Sequence, residues 1–277
     1  MSRHTTFKIG GAARIFIIPA DVEAFRKIFA FCSGREIPCI VIGNGSNLLI
    51  SDRGLDCAVL RLDQEMGGID LDGDGVVCEA GAPLKTVCAF ARDQGLTGLE
   101  FAFGIPGTVG GAVFMNAGAY GGEMSRVIDW TEHLGVSGPG KYTGAHPGYG
   151  YRISPYTGGG FAVTRVRFSL KPGDREEIDG RMKELLERRR TKQPLEYPSA
   201  GSVFKRPPGY FAGTLIENCG LKGLRVGGAA VSQKHAGFII NLGGATCADV
   251  CCLIDKIKNE VFQKTGVELE SEIKVLG

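Results

Sequence analysis

The amino-acid sequence predicts an α+β protein in which a ligand-cradling N-terminal unit is followed by a smaller C-terminal unit. Strand-like and helix-like segments alternate over the first half of the 277 residues. A charged helix at residues 174–192 runs into Pro194 and Pro198, a pattern typical of a connector between units. The 43 glycines, about twice the usual share, lie mostly in short clusters between apolar runs. Because glycine lacks a Cβ atom and allows close approach of the main chain, these clusters favour a backbone that holds a large ligand.

The N-terminal elements begin with a helix and a buried strand. Asp21 suits the N-cap of a helix whose apolar residues recur at helical spacing, and Gly34 is expected to end it. Residues 38–42 predict a buried strand that leads directly into the glycine-rich residues 43–47. Main-chain amides in such a loop are suited to bind a phosphate group, so residues 43–47 form the first candidate binding site.

The next elements are shorter. Residues 58–62 and 76–80 predict two strands, and a helix with one apolar face is predicted to stop at Gly95. The stretch 98–122 is rich in glycine but also carries large apolar side chains. It is therefore expected to be ordered loop and short helix, because a linker would be more polar.

The C-terminal unit is expected to contain a long helix and a final strand. Thr246 is a suitable N-cap, and Asp249 occupies the capping-box position three residues later. An apolar stripe follows at helical spacing, and Gly266 is expected to end the helix. Residues 267–275 predict the last strand.

The charge and hydropathy exclude several classes of protein. The formal net charge of +2 gives no strong positive field of the kind that favours nucleic acid. The basic run Arg188, Arg189 and Arg190 is interpreted as a solvated helix end. No apolar stretch approaches the roughly 18 residues that span a bilayer, and the N-terminus lacks an apolar signal core. We therefore expect a cytoplasmic protein with no membrane, nucleic-acid or obligate protein partner.

The cysteines are expected to be reduced structural thiols. There are nine of them, with no Cys-x-x-Cys pair, and the cluster around residue 250 has no neighbouring histidine. We therefore expect no metal site. Several lie in apolar segments, where a thiol behaves as a small hydrophobic group: Cys32, Cys39, Cys88, Cys251 and Cys252.

Two glycine loops are the strongest candidates for ligand contact. Residues 43–47 offer unobstructed amides for a pyrophosphate but do not match the dinucleotide fingerprint, because Leu48 takes the place of its third glycine. When this loop is considered by itself, an ordinary tight turn explains its sequence equally well. The second loop, residues 104–121, has bare backbone flanked by phenylalanines, which suits an aromatic ring system. The alternative is a buried glycine turn, but two such loops in one unit favour a ligand.

Three polar residues stand in segments otherwise suited to burial. They are Arg152 before the boundary helix, Ser202 after it, and Glu272 in the final strand. Taken singly, each is more readily explained as a salt-bridge or surface residue than as a catalyst. Taken together, we expect one fixed cation, one hydroxyl and one carboxyl to meet between the two units.

At these segments the chain resembles the UDP-N-acetylenolpyruvoylglucosamine reductase family, within the flavoprotein superfamily that includes vanillyl-alcohol oxidase and p-cresol methylhydroxylase. The amino-acid sequence around Lys205 resembles that of type II members of the family. The resemblance covers nearly the whole chain, and it is carried by residues 5–11, 42–51, 104–122, 151–154, 201–207, 212–241 and 272–277.

The resemblance implies a domain organisation and an activity. Residues 1–172 would form an FAD-binding PCMH-type domain of two α+β subdomains, residues 173–198 a helix and linker, and residues 199–277 the substrate domain. The implied reaction is NADPH-dependent reduction of the enolpyruvyl vinyl ether of UDP-N-acetylglucosamine to UDP-N-acetylmuramate, in peptidoglycan synthesis. Noncovalent FAD would accept hydride from NADPH, which is the co-substrate, and pass it to the nucleotide-sugar.

The resemblance also implies roles for individual residues. Arg152 would stabilise charge on the substrate, Ser202 would donate the proton, and Glu272 would help to orient or protonate the intermediate. Tyr151, Lys205 and Arg206 would bind substrate, and no residue would bind metal. The implied FAD-binding residues are Ile42, Gly43, Asn44, Gly45, Ser46, Asn47, Gly81, Gly104, Pro106, Gly107, Thr108, Gly110, Gly111, Asn116, Ala117 and Gly118.

Two other functions remain open at this stage. One is a flavin oxidase or dehydrogenase of a small alcohol or sugar from the same superfamily, many of whose members tether FAD through histidine or cysteine. The four histidines lie outside both glycine loops, which argues against a histidyl tether. The other is a flavin-binding module without turnover.

Overall fold

The computed structural model describes residues 1–144 and 146–277, and these residues form two compact units. Unit 1 consists of the segments Met1–Arg14, Gly45–Asp56 and Arg190–Gly277, and unit 2 of Ile15–Asn44 and Cys57–Arg189. The predicted α+β class is confirmed by the mixture of helices and mostly antiparallel sheets. Two short N-terminal segments thus group with the C-terminal part of the chain, which the sequence-based boundaries at residues 172 and 198 did not anticipate.

Helices and strands alternate irregularly along the chain. The helices are α1 (Val22–Gly34), α2 (Leu84–Asp93), α3 (Val109–Phe114), α4 (Arg175–Lys192), α5 (Ala212–Asn218) and α6 (Cys247–Thr265). The strands are β1 (Ala13–Ile17), β2 (Cys39–Ile42), β3 (Leu48–Ile50), β4 (Leu55–Arg61), β5 (Ile69–Asp72), β6 (Gly75–Glu79), β7 (Leu96–Thr97), β8 (Gly118–Ala119), β9 (Gly122–Glu123), β10 (Ile128–Gly135), β11 (Gly138–Thr143), β12 (Phe161–Ser169), β13 (Lys171–Pro172), β14 (Arg225–Val226), β15 (Ala229–Val231), β16 (Ile239–Asn241) and β17 (Lys274–Leu276). Short 3₁₀ turns lie at Ser2–His4, Gln64–Met66, Glu100–Ala102 and Met124–Arg126.

Unit 2 is built around an antiparallel five-stranded sheet in the order β11-β10-β12-β6-β5. A second sheet has the order β1-β4-β2, in which β2 runs parallel to β4. The apolar faces of α1, α2 and α3 pack into one core with the strands, and Phe25, Leu84, Val87 and Phe168 are fully buried there. Burial of such side chains is the main stabilising term for the unit.

Unit 1 has its own core, formed mainly by α5, α6 and the sheet β14-β15-β16. The main-chain amides at the N-terminus of α6 find hydrogen-bond acceptors from two sources. Thr246 and Asp249 form the predicted capping box, and Asp52 accepts hydrogen bonds from the amides of Cys247 (2.8 Å) and Ala248 (3.1 Å). Gly266 ends the helix in the left-handed region at φ 70°, as predicted. The helix is therefore fixed at both ends.

Three expectations from the sequence need correction. The final strand is β17, Lys274–Leu276, which pairs in parallel with β3, whereas most of residues 267–273 has no ladder partner. Leu269 and Ile273 are nevertheless buried, so their apolar character reflects core packing and not a strand. Cys252 is exposed, and Cys39 and Cys251 are only half-buried, because they pack at the edges of the two cores. Arg189 is the third correction and is described with the candidate site.

No described helix has both the length and the apolar character needed to cross a bilayer. Within the described residues, no group of three or more histidine, cysteine or carboxylate side chains is arranged to hold a metal ion.

Candidate functional site

The two glycine loops meet within unit 2. Gly43 follows β2, and a Cβ atom at this position would overlap Oγ1 of Thr108 at the start of α3. The side-chain amide of the next residue, Asn44, donates a hydrogen bond to the carbonyl of Pro106 (2.8 Å). Residues 43–44 and 106–108 therefore lie side by side.

Thr108 carries a polar atom that the protein leaves unused. Its side chain is buried, and Oγ1 has no hydrogen-bond partner among the described residues. A buried hydroxyl without a partner costs free energy unless a ligand or water binds it. Beside the two glycine loops, this hydroxyl fits a phosphate-bearing group, so the residues present are compatible with a dinucleotide cofactor.

The other predicted cofactor residues lie near β2 and β6, around α3, and at residues 45–47. In unit 2, Ile42 is the buried last residue of β2, Gly81 follows β6, and the amide of Gly110 donates to the carbonyl of Ala80 (2.8 Å). A Cβ atom on Gly81 would overlap Asp63, so packing alone already requires this glycine. The remaining members lie in the loop before α3, in α3 itself and just after it: Gly104, Gly107, Gly111, Asn116, Ala117 and Gly118.

Residues 45–47 belong to unit 1, although they continue the same loop along the chain. Gly45 lies in the left-handed region at φ 63°, and Ser46 follows it. The side-chain amide of Asn47 donates to the carbonyl of Glu272 (3.2 Å), and the carbonyl of Asn47 accepts from the amide of Lys274 (2.9 Å). This part of the loop is therefore held against the end of the chain that carries Glu272.

Arg152 lies at the tip of a tight turn in unit 2. Gly150 and Ile153 exchange two main-chain hydrogen bonds of 3.0 Å, which places Tyr151 and Arg152 at the tip. Arg152 adopts φ 58°, a conformation that is uncommon for residues other than glycine. Its guanidinium donates to the carbonyl of Gly118 (3.2 Å) and lies 5.0 Å from the ring centroid of Tyr151. The partly exposed arginine is thus presented with its charge near one end of the second glycine loop.

Ser202 and Glu272 lie on neighbouring extended segments of unit 1. The amide of Glu272 donates to the carbonyl of Val203 (2.7 Å), one residue after Ser202. Among the described residues, the hydroxyl of Ser202 makes a single, long hydrogen bond of 3.4 Å to the carbonyl of Phe204. A Cβ atom on Gly237 would come within 3.3 Å of that hydroxyl, so the glycine keeps the space beside it open. The predicted hydroxyl and carboxyl residues are therefore brought together.

The two predicted substrate-binding cations have partners already. The ammonium of Lys205 forms an ion pair with Glu270, and the guanidinium of Arg206 lies 4.4 Å from the ring centroid of Phe211. The pair with Glu270 reduces the net charge that Lys205 offers to a phosphate group.

Arg189 is a functional candidate that the sequence analysis missed. It was interpreted as part of a solvated helix end, but its side chain is half-buried and burial lowers its pKa. Its Cδ lies 3.1 Å from the position that a Cβ atom on Gly104 would take, and its guanidinium has no hydrogen bond or ion pair among the described residues. The spacing from Leu185 and Leu186 on the apolar face of α4 was the signal that this arginine points inward.

His235 lies between Gly213 and Gly237 in unit 1. Burial lowers its pKa, and its Nδ1 accepts a hydrogen bond from the amide of Gly237 (3.1 Å). The ring is therefore neutral at ordinary pH, with its remaining proton on Nε2.

Comparison with known proteins gives matches along the whole chain. The family model described as UDP-N-acetylenolpyruvoylglucosamine reductase, C-terminal domain, matches residues 193–276, and the FAD binding domain model matches residues 13–136. Among curated relatives, the UDP-N-acetylenolpyruvoylglucosamine reductase of Alkaliphilus oremlandii is 45% identical, with 100% of this chain and 91% of the relative covered. The reductase of Clostridium botulinum is 46% identical, with 100% and 90% covered.

Among solved structures, the UDP-N-acetylenolpyruvylglucosamine reductase (MurB) from Thermus caldophilus superposes with a TM-score of 0.86 at 40% identity. The match covers 100% of this chain and 97% of that one.

Proposed function

The chain belongs to the UDP-N-acetylenolpyruvoylglucosamine reductase family, and on that premise we propose that Arg152, Ser202 and Glu272 catalyse reduction of its substrate. The protein is an FAD-dependent oxidoreductase of peptidoglycan precursor synthesis, with NADPH as the reductant and a nucleotide-sugar as the substrate. The observation that carries this function is the similarity to reductases of one activity over the full length of the chain.

Arg152 is the proposed stabiliser of charge. FAD, when bound, would supply the hydride that adds to the vinyl ether of the substrate. Addition at the terminal carbon pushes electrons onto the neighbouring carbon and into its carboxylate, so negative charge grows on the carboxylate oxygens. A guanidinium is always protonated and offers paired donors to such oxygens. The strained turn that presents Arg152 supports this role, because uncommon backbone conformations are concentrated at functional sites.

Ser202 is the proposed proton donor. The neighbouring carbon of the substrate becomes strongly basic when hydride adds, so a neutral hydroxyl is acidic enough to protonate it. The weak internal hydrogen bond of Ser202 and the open space beside Gly237 leave its hydroxyl available to a substrate. Glu272, on the neighbouring segment, is proposed to orient the intermediate or take part in its protonation.

The predicted ligand contacts complete the proposal. Amides of residues 43–47 and the hydroxyl of Thr108 would hold the pyrophosphate of FAD, and residues 104–118 would lie against its ring system. Tyr151 and Arg206 would contact substrate, and Lys205 would do so with a charge reduced by Glu270. We keep the assignment of residues 1–172 to the cofactor, residues 173–198 to the connector and residues 199–277 to the substrate.

We also propose that the enzyme works in the cytoplasm and needs no nucleic acid or obligate protein partner. The near-neutral net charge of +2 supports the absence of a nucleic-acid partner.

An anaerobic titration tests the function. The purified yellow protein should be bleached by NADPH, and its colour should return when the enolpyruvyl nucleotide-sugar is added. Bleaching without return of colour on substrate would contradict the substrate assignment. Flavin that stays on the chain after denaturation would favour the related oxidases with tethered FAD, and absence of bleaching would favour a binding module.

A further inference from the structure

The turn that carries Arg152 is attached to one short segment of unit 2, Phe114 to Gly118, by three hydrogen bonds. The side-chain amide of Asn116 donates to the carbonyl of Gly150 (2.9 Å). The guanidinium of Arg152 donates to the carbonyl of Gly118 (3.2 Å). On the far side of the turn, the hydroxyl of Ser154 donates to the carbonyl of Phe114 (2.7 Å). These bonds tie the turn to the segment.

Asn116 is the central member of this attachment. It is 2% exposed and adopts φ 39°, so its side chain is fully enclosed by protein. Its amide nitrogen is used by Gly150, and its amide oxygen accepts from the main-chain amide of Ser125 (2.9 Å). Both ends of the side chain are thus committed to the protein. The sequence-based assignment of Asn116 to the cofactor leaves its main chain for that purpose, and the side chain has a different role.

The base of the same turn is held from the opposite side by the five-stranded sheet. The amide of Tyr156 donates to Oγ of Ser154 (3.2 Å), and the fully buried Tyr156 places its hydroxyl in hydrogen-bond contact with Thr131 of β10. The position of Arg152 is therefore set between a rigid sheet and the segment that ends at Gly118.

We propose that Asn116 is a positioning residue for Arg152, and that through its bond to Gly150 it sets where the guanidinium stands relative to the segment after α3. This inference rests on the role proposed for Arg152. Charge stabilisation needs donors at about 2.7–3.1 Å from the atom on which charge develops, and misplacement by about 1 Å can reduce a rate by about 10². Loss of the Asn116 bond is therefore expected to slow substrate reduction without removing any group that touches substrate.

The variant that isolates this bond is Asn116→Asp. Its carboxylate keeps an acceptor for the amide of Ser125 but loses the donor to Gly150. We expect the reoxidation of reduced enzyme by the enolpyruvyl nucleotide-sugar to slow by about 10-fold to 10². The rate of bleaching by NADPH and the flavin content should change far less. Ser125→Ala is the matched control, because it removes a side chain at the same place and leaves the main-chain amide that Asn116 accepts from.

A double-mutant cycle with Arg152→Ala distinguishes positioning from a general loss of structure. If Asn116 acts through Arg152, Asn116→Asp causes no further loss in the Arg152→Ala background. A full additional loss in that background, or an unchanged reoxidation rate in the single variant, overturns the inference.

Lower pH gives a second readout. The rate of the Asn116→Asp variant relative to wild type should rise as the pH falls, because protonation of the introduced carboxylate restores a donor to Gly150.

Should Asn116→Asp fail to fold, Ser154→Ala takes its place in the cycle, since it removes the bond to Phe114 on the other side of the turn. The same non-additivity with Arg152→Ala is expected, and additivity overturns the inference. Failure of the proposed function is separable, because the wild-type enzyme would then show no reoxidation by the nucleotide-sugar at all.

Discussion

The guanidinium of Arg152 donates a hydrogen bond to the carbonyl of Gly118, 34 residues earlier, while the backbone of Arg152 lies in the left-handed region at φ 58°. The backbone conformation is unfavourable for a residue with a Cβ atom. A guanidinium brings a permanent positive charge and a planar set of five donors. These properties are the physical reason to keep an arginine where glycine would be less strained.

The first prediction follows from this strain. Arg152→Gly should be more stable than Arg152→Ala by about 1 kcal/mol in free energy of unfolding, because only glycine tolerates the left-handed conformation without cost. Both variants should lose about 10² or more in the rate of reoxidation by the nucleotide-sugar, the scale of a lost charge stabiliser. Chemical denaturation and stopped-flow absorbance measure the two effects. Equal stabilities for the two variants would show that the turn stores no strain.

The second prediction concerns Ser202→Ala. Bleaching of the flavin by NADPH should be retained, while reoxidation by the nucleotide-sugar should slow by about 10² or more, because the proton donor is lost. Ser271→Ala is a suitable control, since Ser271 lies on the neighbouring segment beside Glu272 and is also partly exposed. Unchanged rates in both half-reactions would remove Ser202 from the mechanism.

The features that could be predicted from the sequence are those that depend on a few neighbouring residues. Asp21 caps α1 by accepting from the amide of Ala24 (2.7 Å), and Thr246 with Asp249 caps α6. Each cap is specified within four positions, so its side chain and its amide partner are adjacent whatever the rest of the chain does. Residues 43–47 were identified as a loop for the same reason, because a strand and a glycine cluster follow each other directly.

The features that could not be predicted depend on distant partners. β17 is limited to three residues because only Lys274–Leu276 finds β3 to pair with. Arg189 carries a charge on a helix with many exposed cations; its spacing from Leu185 and Leu186 indicates an inward position, but its approach to Gly104 is visible only in the structure. The side chain of Asn116 lies in a motif that suggests cofactor contact, yet its partners are Gly150 and Ser125. Spacing along the chain does not identify the distant partner in such contacts.

The third prediction tests the contact between the two glycine loops. Gly43→Ala should yield protein with reduced flavin content, because the new Cβ atom would overlap Oγ1 of Thr108 and push the loops apart. Adding Thr108→Ala should remove this overlap and restore part of the packing between the loops. It should not restore the full affinity for FAD, because the hydroxyl proposed to bind the cofactor is also removed. Gly34→Ala is the control, because nothing lies within 4 Å of a Cβ atom at that position. The ratio of visible to ultraviolet absorbance reports bound flavin, and a normal ratio in Gly43→Ala would contradict the proposed cradle.

The fourth prediction concerns Arg189. Arg189 is a half-buried cation with no hydrogen bond or ion pair among the described residues, and such a charge destabilises a protein, so Arg189→Met should raise the stability of the flavin-free protein. If the charge serves an anionic ligand beside Gly104, the same variant should bind FAD about tenfold more weakly. Arg188→Met removes a neighbouring exposed cation, which lies 5.3 Å from the ring centroid of Tyr120, and should affect both quantities less. Unchanged affinity for FAD in Arg189→Met would assign the residue no part in binding.

The last prediction is the pH dependence of stability that His133 causes. Burial lowers the pKa of this histidine below its ordinary value of 6.5, and its Nδ1 lies 3.3 Å from the hydroxyl of Tyr156. The unfolded chain therefore takes up a proton more readily than the folded protein. The resulting stability is fully present above the unfolded pKa and is lost progressively as the pH falls below it. His235 has a lowered pKa for the same reason and acts in the same direction.

Thermal unfolding of wild type should accordingly show a lower midpoint at about pH 5.5 than at about pH 7.5. His133→Phe should reduce that difference, because an aromatic ring without a titratable group fills the same space between Tyr142 and Phe161. His146→Phe is the matched comparison, since His146 also packs on Tyr142 (4.5 Å between centroids) but is less buried. If His133→Phe left the acid-dependent shift in midpoint unchanged, the destabilisation would have to come from His235 or from carboxyl groups that lose ion pairs.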